Sequence, residues 1–190
     1  MQIGVLALQG AYAKHLAMLK QLGVNASEVR TAKDLNCLDG LIIPGGESST
    51  MLRLMQDEQL FEPLKEFVKK HPTFGTCAGA ILLAREVQNP NQVSLEAMDI
   101  EVTRNFYGRQ IDSFTQSVSI PSLGEETLDL VFIRAPSITK VGDKVEILAK
   151  SQNLPILVKQ NNCLAATFHP ELTKDTRIHK LFLDMVKSAC

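Results

Sequence analysis

The sequence predicts an α/β fold: an open, mostly parallel sheet flanked by helices, with an antiparallel extension. Three observations predict it. Near-continuous apolar runs at residues 3–8, 39–43 and 163–168 have the composition of strands buried on both faces. Stretches with apolar residues at helical spacing alternate with the early strands, the order expected of a parallel core. From residue 100 to 157 the pattern changes to short strand-like pieces broken by Gly, Pro and Asp, which we read as mostly antiparallel strands at one side of the sheet.

The elements follow in order. The run at 3–8 ends at Gln9-Gly10, and its lack of a basic leader makes it a first strand, not a targeting segment. Tyr12, His15, Leu16, Leu19 and Leu22 recur at helical spacing, and Gly23 supplies the stop. Residues 24–30 return as a strand. The next strand, at 39–43, breaks at Pro44-Gly45-Gly46, and Ser48 or Ser49 can cap the helix carrying Met51, Leu52, Leu54 and Met55. Residues 58–69 form a further helix with Phe61, Leu64, Phe67 and Val68 on one face. Residues 73–76 then lead into a turn at Cys77. Residues 86–98, polar and holding Asn89-Pro90-Asn91, read as a surface loop. The strand at 163–168 delivers His169, and a last helix at 174–187 turns Leu181, Phe182, Met185 and Val186 inward.

The 190 residues fit one domain, 1–190, and 45% hydrophobic with 22% charged residues is an ordinary globular balance. A net charge of −1, no basic cluster longer than Lys69-Lys70 and no Trp disfavour a nucleic-acid partner. No apolar run approaches the roughly 18 residues of a membrane span. Cys37, Cys77, Cys163 and Cys190 have no tight spacing, so a reducing, cytoplasmic setting with free thiols is expected. His15, His71, His169 and His179 lack ligand spacing, so no metal is expected.

The chemistry concentrates at two motifs. In Gly75-Thr76-Cys77-Ala78-Gly79 a strand turns sharply into a helix, which only small neighbours tolerate and which exposes the central residue in a strained conformation. The helix N-terminus favours a thiolate there. In Phe168-His169-Pro170-Glu171 a histidine and a carboxylate lie two residues apart, on the same side at strand spacing. Cys77 as nucleophile, His169 as general base and Glu171 as the group orienting the ring make a thiol triad. Cys37, Cys163 and Cys190 lack such a frame and read as inert core or terminal thiols. Gly45 and Gly46 would expose backbone N–H groups in a nest able to hold an oxyanion, with the N–H of Ala78 as second donor. No Gly-Lys-Ser/Thr follows them, so a phosphate loop is disfavoured. Arg104 and Arg134 fit either surface ion pairs or recognition of a carboxylate. Because ligands of open α/β sheets lie beyond the C-terminal strand ends, Gly10, Gly45-Gly46, Cys77 and His169 should converge.

Leu6-Ala7-Leu8-Gln9-Gly10-Ala11, Pro44-Gly45-Gly46-Glu47-Ser48-Ser49-Thr50, the Cys77 and His169 motifs, Arg104-Asn105, Gly108-Arg109-Gln110 and Phe132-Ile133-Arg134-Ala135-Pro136 together resemble the class I glutamine amidotransferases of Cys-His-Glu type. The resemblance runs from first strand to last helix and is closest to the branch formed by glutaminase subunits of pyridoxal-phosphate synthase. It implies a flavodoxin-like sheet and hydrolysis of L-glutamine to L-glutamate and ammonia. Ammonia then passes to a synthase barrel subunit, and pyridoxal phosphate is a product, not a cofactor of this chain. It also implies that Gly46, Glu47, Ser48, Arg104, Ile133 and Arg134 line the glutamine site, with Gln9 near the oxyanion hole and the partner interface. Activity in isolation should be small. Phe106-Tyr107 stand where this family usually has Ser-Phe, Ser49-Thr50 where Thr-Thr is commoner, and Ala80 where a larger residue is usual. The weighed alternatives are a glutaminase serving another acceptor, such as imidazole glycerol phosphate synthase, and a silent assembly module.

Overall fold

The computed structural model describes residues 1–104 and 113–189. Asn105, Phe106-Tyr107, Gly108-Arg109-Gln110 and Cys190 lie outside the described residues. The central sheet has seven strands. Five run parallel: β1 (Gln2–Leu6), β2 (Asn25–Val29), β3 (Gly40–Ile43), β4 (Thr73–Thr76) and β12 (Cys163–Ala166). Beyond β12 come β11 (Leu154–Gln160) and β10 (Glu146–Ser151), both paired antiparallel, giving the order β10-β11-β12-β4-β3-β1-β2.

The apolar runs explain the layering. Successive strand residues point to opposite faces. Leu41 and Ile43 therefore enter one core and Ile42 the other. The first core is closed by α2 (Ser48–Asp57), α3 (Phe61–Lys70) and α4 (Ala78–Leu83), which bring Met51, Met55, Leu64, Val68 and Leu82 to the sheet. The second is closed by α1 (Tyr12–Gln21) and α5 (Arg177–Ala189), through Leu19, Ile178, Phe182 and Val186. Gly23 stops α1 in the left-handed region at φ +70°.

Four expectations are corrected. Among the described residues of the 100–157 region, only β10 and β11 extend the main sheet. A separate three-stranded sheet forms from β5 (Ala84–Gln88), β6 (Met98–Thr103) and β9 (Ser137–Val141), and its β5–β6 pair is parallel. A separate antiparallel pair forms from β7 (Ser113–Val118) and β8 (Leu128–Ile133). Second, residues 86–98 are not wholly a surface loop. Glu86 to Gln88 belong to β5, and Ser94 and Leu95 are buried, with Ser94 Oγ donating to the Ala84 carbonyl at 2.6 Å and Leu95 N–H to that of Leu82 at 2.8 Å. Polarity here is spent on internal hydrogen bonds, which composition does not distinguish from solvation. Third, neither serine caps α2. Glu47 occupies the cap position without a side-chain bond, and Ser48 Oγ donates to Gln92 Oε1 at 3.1 Å. Fourth, α5 turns Ile178, His179 and Leu183 inward with Phe182 and Val186, while Leu181 and Met185 are only partly buried.

Candidate active site

Parallel strands in the order β12-β4-β3-β1 place four C-terminal ends side by side. His169 follows β12, Cys77 follows β4, Gly45-Gly46 follow β3 and Gly10 follows β1. A cleft of about 440 Å³ opens there, lined by Gln9, Gly46, Glu47, Ser48, Cys77, Arg104, Ile133, Arg134 and His169. Ser113 and Ile81 complete its wall, two residues that carried no signal in the sequence.

Cys77 sits at φ +49°, ψ −102°, between β4 and α4. A non-glycine residue there is strained, by about 1–3 kcal/mol, and the surroundings must impose it. They do so through neighbours that lack side chains. A Cβ on Gly79 would overlap the Ile43 carbonyl oxygen, and one on Gly75 would meet the Gly79 backbone at 2.5 Å. The Cys77 N–H is fixed by the Ala166 carbonyl at 2.8 Å, which locks the turn to β12. Its thiol faces the Ile133 carbonyl at 3.9 Å.

His169 Nδ1 lies 2.7 Å from Glu171 Oε1. Glu171 is buried in the short 3₁₀ turn Pro170–Leu172. Burial disfavours the imidazolium, but the Cys77 thiol and the Glu171 carboxylate outweigh it and raise the His169 pKa to about 10. Burial also works against the Glu171 charge, yet His169 and His15 hold its carboxyl below the usual range. The ring is thus held protonated at neutral pH, with the Cys77 sulfur beside it.

The glycine loop departs from a nest. Neither Gly45 nor Gly46 has a left-handed φ. What they need is the missing Cβ: at Gly45 it would strike the His169 ring and come 3.3 Å from Cys77 Cβ, and at Gly46 it would strike Gln9 Oε1. The Gly45 carbonyl accepts from Ala11 N–H at 2.9 Å, and Gln9 Oε1 accepts from Glu47 N–H at 2.8 Å. Gly10, at φ +96°, makes this close approach possible. Ala78 opens α4, where the N–H has no acceptor within the helix.

Arg104 approaches Glu47 Oε1 at 3.2 Å and Ser49 Oγ at 3.3 Å and lines the cleft, so it makes an ion pair within the wall where a substrate carboxylate would have to be recognised. Arg134, at φ +44°, turns the chain after β8. The His169 N–H donates to the Val131 carbonyl at 2.8 Å, docking β8 against the histidine turn. Every expected site residue lies at or directly beneath this cleft; Glu171, Gly45 and Ala78 sit behind its lining.

Sequence reasoning missed a buried layer behind Glu171. His15 Nε2 lies 3.4 Å from Glu171 Oε2 and 3.2 Å from Thr76 Oγ1, and its Nδ1 is 3.0 Å from His179 Nε2. Burial lowers the His15 pKa to about 4 and that of His179 to about 3. A histidine at an inward position of an apolar helix face was the available signal. Among the other thiols, Cys163 is a core residue whose pKa burial raises to about 12, whereas Cys37 is exposed, at φ +63°. Among the described residues no group of His, Cys, Asp and Glu side chains could hold a metal ion, and no helix is long and apolar enough to cross a membrane.

The chain is similar along its length to known proteins. The pyridoxal 5'-phosphate synthase subunit PdxT of Koribacter versatilis is 54% identical, covering 99% of this chain and 97% of the relative. That of Thermosipho africanus is 51% identical, covering 98% and 100%. A solved crystal structure of a glutamine amidotransferase superposes with a TM-score of 0.91 at 42% identity, covering 97% of this chain and 98% of that one. The family model described as the SNO glutamine amidotransferase family matches residues 5–188. With its nucleophile turn, histidine–carboxylate pair and glycine loop at one sheet edge, the chain belongs to the SNO glutamine amidotransferase family.

Proposed function

We propose that this chain, acting as one glutaminase domain, hydrolyses L-glutamine and supplies the ammonia to a pyridoxal-phosphate synthase barrel subunit in the cytoplasm. The observation that carries the chemistry is Cys77, held at φ +49° beside a histidine whose far nitrogen is 2.7 Å from Glu171. The Cys77 thiolate attacks the side-chain carboxamide carbon. The Ala78 N–H and the glycine-loop N–H of Gly46 receive the developing oxyanion. His169 gives its proton to the amide nitrogen, the C–N bond breaks and ammonia leaves. Water then attacks the glutamyl thioester, His169 takes its proton, the C–S bond breaks and glutamate is released. Glu171 keeps the ring in the tautomer that presents Nε2 to the sulfur. Gly46, Glu47 and Ser48 bind glutamine on one side of the cleft, and Arg104, Ile133 and Arg134 on the other. Gln9, tied to Glu47 N–H, sits where docking of the barrel subunit could act on the glycine loop.

Near-full-length identity to synthase subunits supports this acceptor over imidazole glycerol phosphate synthase. The test is ammonia release from L-glutamine, with and without the barrel subunit. Stimulation by the barrel, abolished in Cys77→Ala, is expected. Full turnover in Cys77→Ala would sink the mechanism, and no release in either condition would sink the activity.

A further inference from the structure

Glu171 uses one carboxylate oxygen on His169. The other, Oε2, is fully buried and has no hydrogen-bond partner among the described residues. The terminal torsion of a glutamate is broad and soft. A carboxylate held at one oxygen can therefore rotate and loosen its hold on the ring. The group that faces Oε2 is His15 Nε2, at 3.4 Å. We propose that His15 is a positioning residue for the glutaminase reaction, steadying the Glu171 carboxylate through Oε2 while His179 sets the His15 tautomer. The proposal rests on the triad reading of Cys77, His169 and Glu171.

The hydrogen-bond network assigns the protons. His15 and His179 are both completely buried, and burial keeps both neutral. Each ring therefore has one donor and one acceptor nitrogen. Across the 3.0 Å contact between His15 Nδ1 and His179 Nε2, one ring must donate. His179 Nδ1 is buried with no partner among the described residues. A buried lone pair without a donor is tolerated more readily than a buried N–H without an acceptor. So His179 carries its proton on Nε2 and gives it to His15 Nδ1. That leaves the His15 proton on Nε2, aimed between Glu171 Oε2 and Thr76 Oγ1. The opposite tautomer would set the His15 Nε2 lone pair against the carboxylate and bury the His179 Nδ1 proton without an acceptor.

Three elements bear on the ring. The 3₁₀ turn supplies Glu171, with His169 beside it; α5 supplies His179; β4 supplies Thr76 and the edge-on ring of Phe74. Thr76 directly precedes Cys77, so the same ring touches the base of the nucleophile turn and the back of the carboxylate. A histidine that only filled space between α1 and α5 would need no such polar chain.

The experiment measures ammonia release by the full chain with the barrel subunit, for wild type, His15→Leu, His15→Gln and Cys77→Ala, across pH. For His15→Leu, kcat should fall on the order of 10- to 100-fold, as a small misplacement of reacting groups does. KM for glutamine should stay near the wild-type value. The alkaline limb should move to lower pH, because a loosened carboxylate holds the His169 proton less firmly. His15→Gln, which keeps an N–H near the same place, should recover most of kcat. Wild-type kcat and limb in His15→Leu would overturn the proposal. So would a kcat reduced only in proportion to the folded fraction, with the limb unmoved. If His15→Leu does not fold, nitrogen NMR of histidine-labelled wild type decides: a proton on His15 Nε2 is expected, and one on Nδ1 overturns the proposal. Activity retained in Cys77→Ala would instead defeat the triad reading, so the two failures are distinguishable.

Discussion

Gly45 shows how much chemistry rests on one absent methyl group. A Cβ there would meet the His169 ring, with Nδ1 at 2.8 Å, and that ring cannot retreat without breaking its 2.7 Å bond to Glu171. Gly45→Ala should therefore lower glutamine hydrolysis on the order of 10²-fold, the scale of a displaced oxyanion group. Its unfolding midpoint should also fall, by about 2–12 °C, the equivalent of an overpacking cost of about 1–3 kcal/mol in a chain of this size. A steady-state assay beside a thermal melt checks both; wild-type turnover would show that the ring is not confined by this loop. At this scale the candidate site was largely legible. The strained turn at Cys77 and the pairing of His169 with Glu171 were legible, but the expected exposure of the cysteine and the strand spacing of the pair were not met: Cys77 is buried, β12 ends at Ala166, and Glu171 lies in the 3₁₀ turn Pro170–Leu172. His15 and His179 were not legible in their pairing, because 164 positions separate the two residues in the chain.

Among the elements, the junction of β3, β4 and α4 is the tightest. Gly79 packs on the Ile43 carbonyl and Gly75 on the Gly79 backbone, so three backbones meet without side chains between them. Gly79→Ala should destabilise the protein by about 1–3 kcal/mol, the usual cost of overpacking. It should also abolish ammonia release by displacing Cys77. Urea unfolding measures the first effect, and an unchanged midpoint would refute the close-packing account. Strands buried on both faces were readable from their apolar runs, usually within two residues of the observed ends, because burial leaves polar residues no place there. Sheet membership was not. The strands from residue 98 to 141 carry the alternation of half-buried strands, yet they form two small sheets beside the main one, and alternation is silent on which neighbour a strand pairs with.

For the whole molecule, buried histidines govern how stability varies with pH. His15 and His179 titrate near 4 and 3 in the folded chain, below the ordinary value of 6.5. As pH falls below 6.5 the unfolded chain takes up protons that the folded one refuses, so stability drops, by up to about 1.4 kcal/mol per pH unit for each group. His169 acts in the opposite sense. Its pKa of about 10 contributes stability that is fully present below 6.5 and is lost as pH rises toward 10. Urea unfolding across this range should give a maximum near pH 6.5, and a flat profile would contradict the burial of His15 and His179 as neutral groups and of His169 as a protonated one. The sequence by itself determined the α/β class, the nucleophile turn and the histidine–carboxylate pair, because local sterics and short spacings act between near neighbours in the chain. Only the tertiary structure decided that β1, β3, β4 and β12 lie side by side, that Gln9 closes on the glycine loop, and that His15 stands behind Glu171. Those contacts join residues far apart in the chain, and they are selected by the packing of two cores on the two faces of one sheet.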